Sequence, residues 1–261
     1  MPGFTLGRVP EIAAGAARVA GLGGDVTRLA GDAARVLLVA DPTLVSLGLV
    51  GRVQESLRAG GHAVELYDGI TSDPLEAQVA QGAGMTRAMN ATAVVGLGGG
   101  SALDAAKMIA VLARDEGPVA SYRLAATPMP ARSLALIAVP TTAGTGSEVT
   151  SVSIVSDANH TKYWFWSAGL KPDLVLLDPE LTVGLPAALT AATGLDAIVH
   201  AIEAATNRNA NAANDTYALA AIRLAMGALP RAVAEPGDLD ARQDMLFAAT
   251  LAGLAIDNAG T

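Results

Sequence analysis

Asp196 and His200 stand four residues apart in the segment Gly194-Leu195-Asp196-Ala197-Ile198-Val199-His200-Ala201-Ile202-Glu203-Ala204. On a helix that spacing places both side chains on one face, one turn apart. A carboxylate and an imidazole so placed can chelate one divalent cation, and oxygen plus nitrogen donors suit Fe(II), Zn(II), Mn(II) or Ni(II). Ala197, Ala201 and Ala204 leave room beside them. The same spacing also suits a plain hydrogen bond between an acid and a histidine, and the sequence leaves both readings open. A cation is held well by more than two protein donors. His62 precedes a strand and His160 lies in an aromatic stretch, neither with an evident path to the pair, and the chain has no cysteine to supply a thiolate. Half of a metal site is therefore expected.

A second cluster is Gly96-Leu97-Gly98-Gly99-Gly100-Ser101, between an apolar run and a helical one. Glycines let a backbone approach a phosphate, and the first N–H groups of a helix are unpaired donors with a favourable dipole. The spacing is close to G-x-G-x-x-G with Ser101 in place of the last glycine, and no Gly-Lys-Ser/Thr makes it a Walker loop. A tight strand-to-helix turn with Ser101 as N-cap would look the same. Asp104 and Lys107 follow, read plainly as a first-turn acid and a solvated lysine. Asp41 ends an earlier strand-like run, where an acid can accept from both ribose hydroxyls and would repel a 2′-phosphate, favouring NAD over NADP. It also suits an ordinary turn before Pro42. A third cluster, Pro140-Thr141-Thr142-Ala143-Gly144-Thr145-Gly146-Ser147-Glu148, offers four hydroxyls and two glycines between Thr141 and Ser147. A flexible loop is the plain reading, yet the apolar run before it aims it at the same edge. Lys162 opens an aromatic stretch, Tyr163-Trp164-Phe165-Trp166, which reads as a hairpin or an interface.

The elements that must position these groups alternate. Strand-like runs at 35–40, 63–67, 93–97, 134–139, 151–155 and 174–177 are separated by helical spacing at 44–59, 74–89 and 101–114. Such alternation predicts an α/β fold, a Rossmann-like parallel sheet covered by helices on both faces. After Pro186 no convincing strand remains, and Ala- and Leu-rich helices are expected. We therefore expect a dinucleotide-binding α/β domain over 1–185 and a helical metal-binding domain over 186–261. The 261 residues are 51% apolar and 16% charged, which supports a sizeable core and argues against disorder. A net charge of −8 and 3% aromatic residues argue against nucleic acid. No apolar run approaches the roughly 18 uninterrupted residues of a membrane span. No secretory signal is evident, and a cytoplasmic location is expected.

Together these segments resemble the iron-containing (group III) alcohol dehydrogenase family. The resemblance rests on Gly98-Gly99-Gly100-Ser101 with Asp104, the Pro140–Glu148 loop, Asp178-Pro179-Glu180-Leu181-Thr182, and Gly194–Glu203, and it runs in family order over essentially the whole chain. It implies NAD-dependent, metal-assisted interconversion of a small alcohol with an aldehyde or ketone, in a cleft between the two domains. It implies that Asp41 holds the adenosine ribose, that Gly98, Gly99, Gly100 and Ser101 hold the pyrophosphate with Asp104 supporting the turn, and that Thr141, Thr142, Ser147 and Lys162 line the rest of the cofactor site. Asp196 and His200 would be two of four ligands to a divalent metal, Fe(II) first and Zn(II) as the alternative. The family's other two ligands are histidines further on, beyond Thr261, so a fragment or a truncated form is expected. Uncovered apolar helix faces near Leu246–Leu254 would favour a homodimer or higher homo-oligomer. A non-catalytic NAD-binding fragment, a glycerol dehydrogenase, a dehydroquinate synthase and a maleylacetate reductase are the alternatives, and the full Pro140–Glu148 loop favours the alcohol dehydrogenase branch.

Overall fold

The computed structural model of the chain describes residues 3–71 and 73–259. In chain order its elements are β1 (Glu11–Ala14), α1 (Leu22–Ala30), β2 (Arg35–Ala40), α2 (Pro42–Ser46), α3 (Leu49–Ala59), β3 (Ala63–Tyr67), α4 (Glu76–Ala88), β4 (Ala93–Gly98), α5 (Gly100–Val111) and β5 (Ala135–Pro140). There follow β6 (Val152–Ser156), β7 (Lys162–Trp166), β8 (Leu174–Leu177), α6 (Ala187–Thr206), α7 (Ala212–Ala234) and α8 (Leu239–Ala259). Short 3-10 turns join several of them.

Six strands form one parallel sheet in the order β1-β8-β5-β4-β2-β3. Every residue of β4 and β8 is buried. Strands covered on both faces lose the alternation of a half-wet strand and become continuous apolar runs, which is why they were legible. One face packs Leu37, Val39, Val94 and Leu136 against α4 and α5; the other packs Val36, Leu38, Val95 and Ile137 against α1 and α3. From β2 the chain moves outward to β3, whereas from β4 it moves the other way to β5. The order reverses between β2 and β4, and the carboxyl ends there bound the crevice in which open α/β sheets take ligands.

The expected α/β class and the all-helical C-terminal region both stand. α6, α7 and α8 pack on one another through alanines, among them Ala201, Ala204, Ala218, Ala221, Ala252 and Ala255. Small side chains let the axes approach closely. α7 is long and apolar enough to cross a membrane by length and composition, with a best window of mean hydropathy 1.2, but it carries Arg223 and Arg231 and lies in this three-helix packing.

Several expectations need correction. The helix expected over 44–59 is two helices, because Gly48 takes a left-handed φ of 74° and the chain turns there. The strand expected at 151–155 is outside the parallel sheet: β6 pairs antiparallel with β7, and the two form a hairpin over the cleft. β1 was not read as a strand; four residues with partly exposed flanks carry little pattern, and pairing with β8 makes it one. Ser101 is not an N-cap: α5 starts at Gly100, with Gly99 as its cap and no side chain capping it. Leu246 and Leu254 themselves are buried between α8 and the rest of the molecule, and within that stretch it is Phe247 that stands exposed. Further exposed apolar side chains stand at Leu195, Val199 and Ile202 on α6 and at Leu219 and Met226 on α7.

Candidate active site

The carboxyl ends of β4 and β5, the hairpin, α6 and the end of α8 enclose a cleft of about 800 Å³. It is lined by Gly100, Ser101 and Asp104 of the glycine turn, by Thr145, Ser147 and Thr150, and by Lys162 and Trp166 of β7. Asp196 and His200 line it from α6, with Asp257 from α8 and Asp73 from the loop before α4. Segments far apart in sequence thus share one cavity.

The glycine turn is shaped by close approach. Gly98 has φ +148°, and a Cβ there would stand 2.7 Å from that of Ala102. A Cβ on Gly100 would stand 2.8 Å from Thr145 Cγ2. Gly99 packs on Thr142. Thr141 is buried and its N–H donates to the Gly98 carbonyl at 3.0 Å, which ties the ends of β4 and β5 together. With no side chain at its cap, α5 presents its first turn to the cleft, the arrangement that takes a phosphate. A dinucleotide therefore fits the residues present.

The threonine–glycine loop is no flexible loop. A Cβ on Gly144 would meet the Thr193 carbonyl oxygen of α6 at 2.8 Å. Gly146, at φ +67°, packs directly on Gly253 of α8, where a Cβ would stand 2.5 Å from its Cα. Both glycines let the loop lie flat against the helical region. Glu148 is buried and accepts from Thr250 Oγ1 at 2.9 Å. Burial raises its pKa above the usual carboxylate value, against the pull of that hydrogen bond and of Lys107.

Asp41 follows β2, whose Ala40 is in register with Leu97 of β4. It flanks the switch point but is not among the residues lining the cleft. Its carboxylate caps α2 by accepting from Thr43 N–H at 2.6 Å, so the turn role is realised and one oxygen is committed to it. Lys162 is at the cleft rim, paired with Asp73 at 2.7 Å. Lys107 is not solvated: it is 1% exposed and lies beneath the cleft floor.

On α6, Asp196 and His200 face the cleft together. Their nearest atoms, Asp196 Oδ1 and His200 Nε2, are 3.7 Å apart, too far for a hydrogen bond and close enough to share a cation. His200 Nδ1 is buried with no hydrogen-bond partner among the described residues. The other cleft carboxylates, Asp73, Asp104 and Asp257, each have a lysine; Asp196 has none. The chemistry of this pair suits a divalent ion. Among the described residues no group of three or more His, Cys, Asp or Glu could hold one, so the donor set is open.

Asp73 and Asp257 line the cleft and carry no reading from the sequence; Trp166, expected only in a hairpin or interface, lines it too, and Lys107 lies beneath it. Lone aspartates before a proline or near a helix end carry no signal, because only the fold brings them here. Asp257 is the plainest case. Its Oδ1 accepts from the Ser151 N–H and hydroxyl, each at 2.6 Å, and its Oδ2 pairs with buried Lys171 at 2.6 Å.

Comparison with known proteins places the chain in a family. The family model for iron-containing alcohol dehydrogenase matches residues 10–179, and that for the C-terminal part of the Fe-containing alcohol dehydrogenase family matches residues 190–261. The chain belongs to the iron-containing alcohol dehydrogenase family. It is 43% identical over 238 residues, 90% of the chain, to long-chain-alcohol dehydrogenase 1 of Geobacillus thermodenitrificans. It is 37% identical over 229 residues, 87% of the chain, to the NAD-dependent methanol dehydrogenase of Bacillus methanolicus. It spans 60% of the length of each of these two relatives. Among solved structures, sulfoacetaldehyde reductase from Bifidobacterium kashiwanohense in complex with NAD+ superposes with a TM-score of 0.93 at 31% identity, covering 100% of this chain and 69% of that one. A 1,3-propanediol oxidoreductase gives 0.90 at 35% identity, covering 99% and 67%.

Proposed function

We propose that the chain is the cofactor-binding and metal-contributing part of an NAD-dependent oxidoreductase that interconverts a small alcohol with an aldehyde or ketone. The observation that carries this is the meeting, in one cleft, of an uncapped glycine turn, a hydroxyl-rich loop and an aspartate–histidine pair with an unsatisfied ring nitrogen. Family membership and a solved neighbour that holds NAD+ support it.

In this reading the backbone of Gly98, Gly99, Gly100 and Ser101 takes the pyrophosphate at the α5 N-terminus, and Asp104 holds that turn against Ser147. Asp41 accepts from the adenosine ribose with the oxygen that Thr43 leaves free, and its charge selects NAD over NADP. Thr141 and Thr142 fix the glycine turn from behind, while Ser147 and Lys162 bound the nicotinamide side. Asp196 and His200 contribute an oxygen and a nitrogen to a divalent metal, Fe(II) or Zn(II). When bound, such a metal acts as a Lewis acid on the substrate oxygen. The side chains then supply alignment of the reacting carbon with the nicotinamide, which contributes roughly 7–11 kcal/mol in well-oriented cases.

The division near Leu185 and a cytoplasmic location belong to the same proposal. So does a homo-oligomer, favoured by the exposed Leu195, Val199 and Ile202 stripe. An alcohol-oxidation assay with NAD+ and added Fe(II) or Zn(II) tests it: metal-stimulated NADH formation supports the reading. A second reading, a non-catalytic NAD-binding module, is favoured by the open donor set. NAD+ binding with no turnover at any metal concentration would select it.

A further inference from the structure

The chain has three lysines, Lys107, Lys162 and Lys171, and every other basic side chain is an arginine. Lys162 lines this cleft and the other two are buried behind it, each of the three on an aspartate that lines it: Lys107 on Asp104 at 3.3 Å, Lys162 on Asp73 at 2.7 Å, and Lys171 on Asp257 at 2.6 Å. Lys107 differs from the other two in what surrounds it. Besides Asp104, its Nζ donates to the Ser147 carbonyl at 3.0 Å, the Ser147 hydroxyl at 3.1 Å, the Thr150 hydroxyl at 3.1 Å and the Val152 carbonyl. An ammonium has three protons, and five acceptors crowd it. They come from α5, from the end of the threonine–glycine loop and from the start of β6, three walls of the cleft. Asp104 repeats the pattern, accepting from Ser147 Oγ at 2.5 Å and from Ile154 N–H at 2.9 Å.

A buried charge is costly to hold, and apolar side chains of similar volume often replace buried ion pairs without loss of stability. Stability alone therefore gives little reason for an ammonium here. Directional bonds to Ser147, Thr150 and Val152 give a better one, because they set the position of groups that face the cavity.

We propose that Lys107 is a positioning residue for the cofactor, acting through Asp104, Ser147 and Thr150 to hold the far wall of the cleft at the distance from the α5 N-terminus that a dinucleotide needs. It never touches the ligand, since it lies beneath the floor. The proposal rests on the dinucleotide reading above.

The test is calorimetric titration of the 261-residue chain with NAD+, well below its melting temperature, for wild type, Lys107→Met and Leu57→Ala. Leu57 is fully buried near the C-terminal end of α3, away from the cleft, and serves as the stability control. Lys107→Met is expected to weaken NAD+ by about tenfold or more, equivalent to about 1.4 kcal/mol. Leu57→Ala lowers Tm and binds NAD+ as wild type does. Thr150→Val removes one acceptor with little change in volume and is expected to weaken NAD+ about threefold; it carries the test if Lys107→Met does not fold. Wild-type affinity in both cleft variants overturns the inference alone. A wild-type chain that takes up no NAD+ overturns the dinucleotide reading and this inference with it.

Discussion

The two sides of the cleft are finished to different degrees. On the sheet side, Lys107 has five acceptors, Asp104 three donors, and the Thr141 N–H and Gly98 carbonyl satisfy each other. On the helical side polar groups are left open. Asp196 is half exposed, His200 Nδ1 is buried without a partner, and an exposed apolar stripe runs beside them. Satisfied buried networks rigidify, whereas an unsatisfied buried ring nitrogen beside a carboxylate is free to take a water, an ion or a ligand. In the proposed reading, the sheet side is preorganised for the dinucleotide and the helical side contributes donors to a metal.

Substitutions can break one side without the other. Gly100→Val should give the largest effect. Its side chain must enter the space of Thr145 and displace the turn that would hold the pyrophosphate, and NAD+ affinity should fall by about tenfold or more, about 1.4 kcal/mol. Metal binding at Asp196 and His200 should be unchanged, and titration of both ligands reads the separation. His200→Ala should do the reverse: metal-stimulated turnover is lost while NAD+ affinity stays within about twofold of wild type. Joint loss of both would mean that the two sides are not independent.

Asp41→Ala should have a smaller, mixed effect. The α2 N-cap is worth about 1 kcal/mol, and removal of the charge should narrow the preference for NAD+ over NADP+ by about tenfold, measured by paired titrations.

Glu148→Gln sharpens the contrast from beneath the loop. Burial raises the folded-state pKa of Glu148 above its unfolded value, so the folded chain binds the extra proton. Its ionisation therefore removes stability as pH rises from the unfolded pKa through the folded one. Glutamine keeps the acceptor for Thr250 without the charge. The variant should melt higher at neutral and alkaline pH, by about 2–4 °C for each kcal/mol regained, and the gain should vanish in acid. A gain of equal size at all pH values would contradict this.

The sheet side was also the more legible side. β2, β4 and β8 are apolar on both faces, and such runs are visible without tertiary context. The glycine turn, the threonine–glycine loop and the Asp196–His200 pair are local in sequence, and each carries chemistry in its spacing. β1 and the β6–β7 pairing were not readable, because their strand character comes from a partner far along the chain. Lys107 was misread for a related reason. A lysine two turns into a helix is ordinarily solvated, and nothing local shows that Ser147, Thr150 and Val152 will fold over it. Asp73 and Asp257 stayed silent, since one carboxylate without its lysine has no pattern. Nothing in the sequence shows that Gly144 and Gly146 are points of contact with α6 and α8.

The most direct test titrates one preparation of the 261-residue chain separately with NAD+ and with Zn(II), while its oligomeric state is followed by sedimentation. The account predicts saturable NAD+ binding at one site per chain and metal binding weaker than micromolar in the monomer. Submicromolar Zn(II) binding by the monomer, with no saturable NAD+ binding, would contradict it.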